Sequence, residues 1–247
     1  MNLNTCITYA RTILGSLTTT ELSDSDAISY ANDAMNEFEM DLASERDDYF
    51  AEKSTLNSIS SGQSVVQFPN DLLLVKLVEV NFFDPTDATK FVKASEFDAS
   101  NTPMGGGMNW SWYLTNQPKS QPLVDLRGGW FEVAPKADAT YANAINLIYL
   151  AKFVLYDVNG NALTDNRFAN TTDLLPYPLT MYPEILSYKI AELRTRSIGN
   201  VSTAVQKAEL FQTKYKEKVL KLTESVQTNE QSLTSRSAQV LNNGRNQ

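Results

Sequence analysis

The chain has 247 residues, 42% of them apolar, a formal net charge of −8, one cysteine and no histidine. That length and apolar share suit one large globular domain or two small ones. The missing histidine excludes imidazole-based triads, histidine-ligated zinc and facial-triad iron, and the lone Cys6 excludes internal disulfides and multi-cysteine zinc sites.

No run of eighteen apolar residues occurs, and the first fifteen residues lack a basic segment ahead of an apolar core. The expectation is therefore no membrane span, no signal peptide and a protein made in the cytoplasm. The apolar neighbours of Cys6 point to a buried thiol rather than a nucleophile.

Residues 2–14 carry Leu3, Ile7, Ala10 and Leu14 at spacings of three and four, which predicts a short helix ended by Gly15 and Ser16. A second helix begins at Ser23, with Asp26 three residues on in a capping-box-like start. Ile28, Ala31, Met35, Phe38 and Leu42 form its apolar stripe. Its other face bears Asp33, Glu37, Asp41, Glu45, Asp47 and Asp48, which repel one another. The plain reading of that face is solvation.

The negative charge is concentrated there. Residues 1–54 hold three basic side chains against eleven acids, whereas residues 55–247 hold eighteen of each sign. An acidic helix repels a phosphate backbone, so the chain does not read as one that grips DNA or RNA by charge neutralisation.

From Leu56 the pattern changes to short apolar runs between turn residues. Residues 64–68 and the long run 72–83, behind the Pro69-Asn70-Asp71 turn, are predicted strands. Phe91 and Val92 resume the sheet, Ser95–Phe97 reads as a single capped helical turn, and residues 103–109 (PMGGGMN) read as a loop. Trp112–Thr115, Leu123–Leu126, Trp130–Ala134 and residues 144–157 are further predicted strands. Asn159-Gly160 matches the preference of a type I′ hairpin.

Helical spacing returns at residues 179–197, with Pro183 in the first turn. After Gly199 and Asn200 another helix runs from Ser202 to Leu222, rich in lysine. Residues 223–247 are mostly Ser, Thr, Gln and Asn with four separated aliphatics, Val226, Leu233, Val240 and Leu241. So little apolar surface predicts disorder for the segment alone, and an extended docking arm where a partner holds it.

Three chemical signals are weak. Asp157, Asn159, Asn161 and Asp165 have calcium-loop spacing, but Ala162 replaces the turn glycine and Phe168 the bidentate acid. Trp110, Trp112, Tyr113 and Trp130 offer a stacking platform for sugars or bases, with an aromatic core as the preferred reading. Asp125 and Glu132 form an imaginable glycosidase pair in a chain with 29 acids. No metal, cofactor or catalytic residue is assigned, and an enzyme is not expected.

The order of motifs resembles the head-to-tail adaptor (connector, head completion) proteins of tailed bacteriophages. The family's "wsD.ell.yiN.A..e" helix is matched by LSDSDAISYANDAMNEFEMDL, with Asp26, Tyr30, Asn32 and Ala34 in place, and "lP.dll.l..Vev" by FPNDLLLVKLVEV. KASEFDAS, WYLTN, FEVAPKADATYANAINLIYLAKF and YPEILSYKIAELRTRSIGN follow in family order, so the likeness covers about residues 3–222.

The resemblance, taken with the order of elements, implies an α+β fold, an antiparallel helical bundle from the N- and C-terminal helices with an inserted, mainly antiparallel β domain, to which the composition of the last residues adds an extended C-terminal tail. The corresponding spans are residues 1–54, 55–165, 166–222 and 223–247. It also implies a structural virion protein without an active site, forming a dodecameric ring beneath the portal protein, in the neck between capsid and tail. Neighbouring subunits, the portal and downstream tail or neck proteins would be its partners, and DNA would pass through the lumen during genome ejection. The acidic face of the second helix suits such a channel, with Asp33, Glu37 and Asp41 lining it. The tail after Leu222 is longer than the family pattern needs, so its role does not come from the resemblance; the expectation is that Val226, Leu233, Val240 and Leu241 dock it on the portal or on an adjacent subunit. The alternatives are another tail or baseplate component, or a carbohydrate-binding β module.

Overall fold

A computed structural model describes residues 1–15, 21–83, 87, 90–97, 110–163, 165–198 and 202–243, with the side chains of the last helix described from Ala204 to Glu224. The protein is α+β, with six helices and two mostly antiparallel sheets among these residues. The chain divides into two compact units: residues 1–49 with 153–247, and residues 50–152.

The first unit holds every helix but one. α1 (Leu3–Ile13) buries Leu3, Cys6, Ile7 and Ala10, the face predicted from their spacing, and Gly15 follows with φ +107, a conformation that favours glycine. α2 (Asp24–Glu45) is capped at its start, where the backbone N–H of Asp26 donates to Ser23 Oγ at 3.1 Å. It buries Ala27, Ala31, Ala34, Met35, Phe38 and Leu42.

The other residues of the family-like motif are also structural. Tyr30 donates its hydroxyl to Ser197 Oγ at 3.0 Å. Asn32, buried, reads both backbone groups of Phe168: its Nδ2 donates to the carbonyl at 3.0 Å and its Oδ1 accepts from the N–H at 2.8 Å. An apolar residue there would orphan two backbone groups.

The predicted helix 179–197 is two helices, α4 (Tyr177–Met181) and α5 (Glu184–Ser197), with Tyr182 and Pro183 between them. A residue that precedes proline is pushed out of the helical region, and Tyr182 sits at φ −132, ψ 64. α5 packs against α1, α2 and α6 (Ser202–Asn243).

The tail expected to be extended is a continuation of α6, which runs 42 residues. No proline or glycine interrupts it before Gly244, and without a breaker the backbone keeps its i→i+4 bonds despite the polar composition.

Asn159-Gly160 does not form a type I′ turn. Gly160 alone is left-handed there (φ +83) and its N–H donates to the Asp157 carbonyl, while the Asp157 N–H reaches Asn161 O. That is a turn followed by a glycine bulge, a loop one residue longer than predicted.

The second unit carries β1 (Glu52–Ile59), β2 (Val65–Gln67), β3 (Leu72–Val80), β4 (Val92–Lys93), β5 (Ser95–Glu96), β6 (Leu123–Leu126), β7 (Trp130–Ala134) and β8 (Tyr141–Ala151). They form two four-stranded sheets, ordered β1-β8-β3-β4 and β2-β7-β6-β5. Only β5 and β6 run parallel. Val78, Val80, Ile145 and Leu147 of the first sheet share one core with Val66, Val124, Phe131 and Val133 of the second. Burying such side chains contributes roughly 1.5–3 kcal/mol each. Asn143, at φ +54, absorbs the register shift between β1 and β8, and its N–H donates to Ser58 Oγ at 3.1 Å.

Two local expectations fail here. Ser95 does not cap a helical turn; it pairs with Leu123 as a strand residue of β5. Trp112–Thr115 is not a strand but part of α3 (Trp110–Asn116). The Trp110 indole N–H donates to Glu132 Oε2 at 2.6 Å, and Pro118 limits the helix on its other side. This tertiary anchor outweighs the strand preference of the aromatic residues. The PMGGGMN loop lies outside the described residues.

Candidate functional site

α2 carries seven acids and no basic residue (DSDAISYANDAMNEFEMDLASE). Glu39 is buried and its carboxylate accepts the Phe153 N–H at 2.9 Å, so it serves the core. The three candidate wall residues, Asp33, Glu37 and Asp41, are exposed and lie four apart on one face.

Two of them are tied to neighbouring helices. Glu37 Oε2 lies 2.5 Å from Lys189 Nζ, and Asp41 Oδ2 accepts the Tyr215 hydroxyl at 2.8 Å. Asp33 has no ion pair among the described residues and is the purest surface charge of the row.

Behind the row lies a buried polar cluster. Lys189, 4% exposed, also pairs with Glu192 at 2.8 Å, and Glu192 has no solvent exposure and contacts Arg196 at 2.6 Å. The Lys189 ammonium sits 5.1 Å from the Tyr215 ring centroid. Burial opposes the charge on Lys189, but hydrogen bonds to Glu192 and Glu37 overcome it and hold the pKa above its ordinary value. Burial raises the Tyr215 pKa, and the hydrogen bond to Asp41 raises it further.

The cluster therefore fixes the ionisation states that orient Glu37 and Asp41. The sequence hinted at it only through the helical spacing of Lys189, Glu192 and Arg196. Surface pairs at that spacing are common, and burial was the missing fact.

The other sequence candidates are placed as follows. Val226, Leu233, Val240 and Leu241 lie on α6, and their side chains lie outside the described ones. Asp157 spends its carboxylate on the N–H groups of Asn159 and Asn161 and on Asn161 Nδ2, so its oxygens stitch the turn instead of facing a cation. Among the described residues no group of three or more acidic or cysteine ligands converges on a metal position.

Asp125 stands directly across from Glu132, but Asp125 pairs with Arg127 while Glu132 serves Ser64 and Trp110. The aromatic residues pack on one another, tilted or edge to face: Phe97 lies 5.0 Å from Trp110 and 5.3 Å from Tyr113, and Trp112 lies 5.2 Å from Tyr113. None of α3 is buried, so this is a surface cluster and not the core of its unit. Cys6 is buried, its thiol pointing at the Pro183 carbonyl at 3.3 Å, and burial pushes its pKa up to about 12. Such a thiol is a poor nucleophile.

Comparison with protein-family models and with curated proteins gives no match.

Proposed function

We propose that the chain is a structural virion protein, a head-to-tail adaptor that forms a ring under the capsid portal and joins it to the tail. The helices from both ends of the chain form an antiparallel bundle, the β unit is inserted between them, and the end of α6 is the arm that meets the portal or an adjacent subunit. The protein works without catalysis, among twelve copies of itself and the downstream neck or tail proteins, and DNA crosses the lumen without specific binding.

The observation that carries this reading is the charge of α2: seven acids and no base, with Asp33, Glu37 and Asp41 exposed on one face. A wall of that sign keeps a passing polyanion from sticking, because like charges within about a Debye length, roughly 8–10 Å at physiological salt, repel. The aromatic cluster of α3 gives little support to a carbohydrate-binding module, since its rings pack tilted or edge to face on each other and the Trp110 N–H is taken.

Purified portal rings test the reading. The full chain should co-sediment with them, and a chain lacking residues 224–247 should not. Failure of the full chain to bind overturns the adaptor reading, and unchanged binding of the shortened chain removes the role of the arm. A glycan array should be blank.

A further inference from the structure

One flank of α6 is lined by two grooves, each within the helical unit. Val205, Glu209, Gln212, Lys216 and Leu220 follow one another at spacings of three and four, so they share that flank. At the start of the helix the flank meets Thr195 and Arg196 of α5 around a cavity of about 390 Å³. Some 15 residues on it meets Asp41, Ser44 and Glu45 of α2 around a cavity of about 350 Å³.

The two ends are complementary in character. Val205 (43% exposed) and Arg196 (55% exposed) mark the first, and Leu220 (55% exposed), Asp41 and Glu45 mark the second. Between them the exposed Glu209 and Lys216 have no ion pair among the described residues.

We propose that this flank is a two-fold contact between two copies of the chain, with their α6 helices antiparallel about Gln212 and Thr213. That axis sets Val205 against Leu220, Glu209 against Lys216, and Arg196 against Asp41 and Glu45, each pair occurring twice. The stripe matches itself on reversal at two levels, and the flanking charges of α5 and α2 add a third. The contact spans about 22 Å of helix, at 1.5 Å per residue. It falls in the small, reversible class of interfaces. Being isologous, it closes at two copies and leaves no open end for further growth. The proposal concerns the free protein and does not depend on the adaptor reading.

Charge reversal tests it by sedimentation velocity on the full chain, over about a hundredfold range of concentration. The unchanged protein should shift from monomer to dimer as concentration rises. Glu209→Lys and Lys216→Glu should each abolish the shift, because each sets like charges face to face twice. Mixing these two variants, or combining both changes in one chain, should restore the dimer, since opposite charges meet again. Lys207→Glu, off the stripe, should change nothing, and circular dichroism should show all variants folded. A chain that stays monomeric throughout, an association that survives Lys216→Glu, or a mixture that fails to associate overturns the proposal.

Discussion

The two units handle charged groups in opposite ways. The helical unit buries Asn32, Glu39, Asp173, Lys189 and Glu192, and each has partners: Asn32 on Phe168, Glu39 on the Phe153 N–H, Asp173 on the N–H groups of Ala169 and Asn170, Lys189 on Glu37 and Glu192. The β unit buries the neutral Asn81 and Ser64 but no charged side chain among the described residues, and sets its ion pairs at the rim, Lys53 with Asp71, Lys119 with Asp138 and Arg127 with Asp125. Strand register already specifies a sheet, because a slip of one residue turns each side chain to the wrong face. Helices can slide and rotate more freely, and partnered polar groups remove that freedom.

The difference is broken most sharply by a pair of core substitutions. Phe131→Ala, at a position with no solvent exposure, should cost about 3–5 kcal/mol by opening a cavity. Lys189→Met should cost up to a similar amount, at most about 3–5 kcal/mol, by leaving buried Glu192 with Arg196 as its remaining charged partner. The contrast lies in rescue: adding Glu192→Leu to Lys189→Met should recover much of the loss in urea denaturation. If it recovers nothing, packing rather than charge compensation holds this seam together.

Asn32→Ala should cost about 2 kcal/mol, the effect of leaving the Phe168 N–H and carbonyl unpaired in the core. At the rim of the β unit, Lys53→Ala should cost less than about 1 kcal/mol, because that pair is half exposed and solvent screens it. A rim substitution costing as much as Asn32→Ala would erase the distinction between the units.

The pH response should also divide the molecule. Tyr215 has its folded pKa raised, by burial first and by Asp41 second, with Lys189, Glu37 and Glu192 around it. Its contribution is whole below its ordinary value of 10.0 and is lost as pH climbs beyond that. Lys189, also raised, behaves alike above 10.5. At the β rim, hydrogen bonds from Lys119 and then Tyr141 hold Asp138 at about 2. Its small contribution is present above the ordinary 3.8 and disappears as pH falls toward 2. Thermal melts of Tyr215→Phe should show a shallower loss above pH 10 and an unchanged acid limb; an unchanged alkaline limb would remove Tyr215 from this account.

Much of this was readable from residues with local signatures. Ser23 and Asp26 announced the start of α2, the 3–4 spacing of Leu3, Ile7 and Ala10 announced α1, and the apolar run behind the Pro69-Asn70-Asp71 turn announced β3. What escaped was set by distant partners. Trp112–Thr115 reads as a strand until Glu132 takes the Trp110 indole N–H, and Ser95 reads as a cap until Leu123 pairs with it. α6 beyond Leu222 reads as a tail because composition argues against it, while the lack of any breaker before Gly244 is a quieter signal. At the candidate site, the exposed row Asp33, Glu37 and Asp41 was legible from charge and spacing. The buried Lys189, Glu192 and Tyr215 behind it were not, because single pairs at helical spacing carry no sign of burial.

The direct test is the position of α2 in an assembled particle. An image at side-chain resolution should show this chain as a ring against the portal, with Asp33, Glu37 and Asp41 turned toward the lumen and its DNA. A ring that turns those three acids to the outer surface or into a subunit contact would contradict the account, as would a chain found away from the portal.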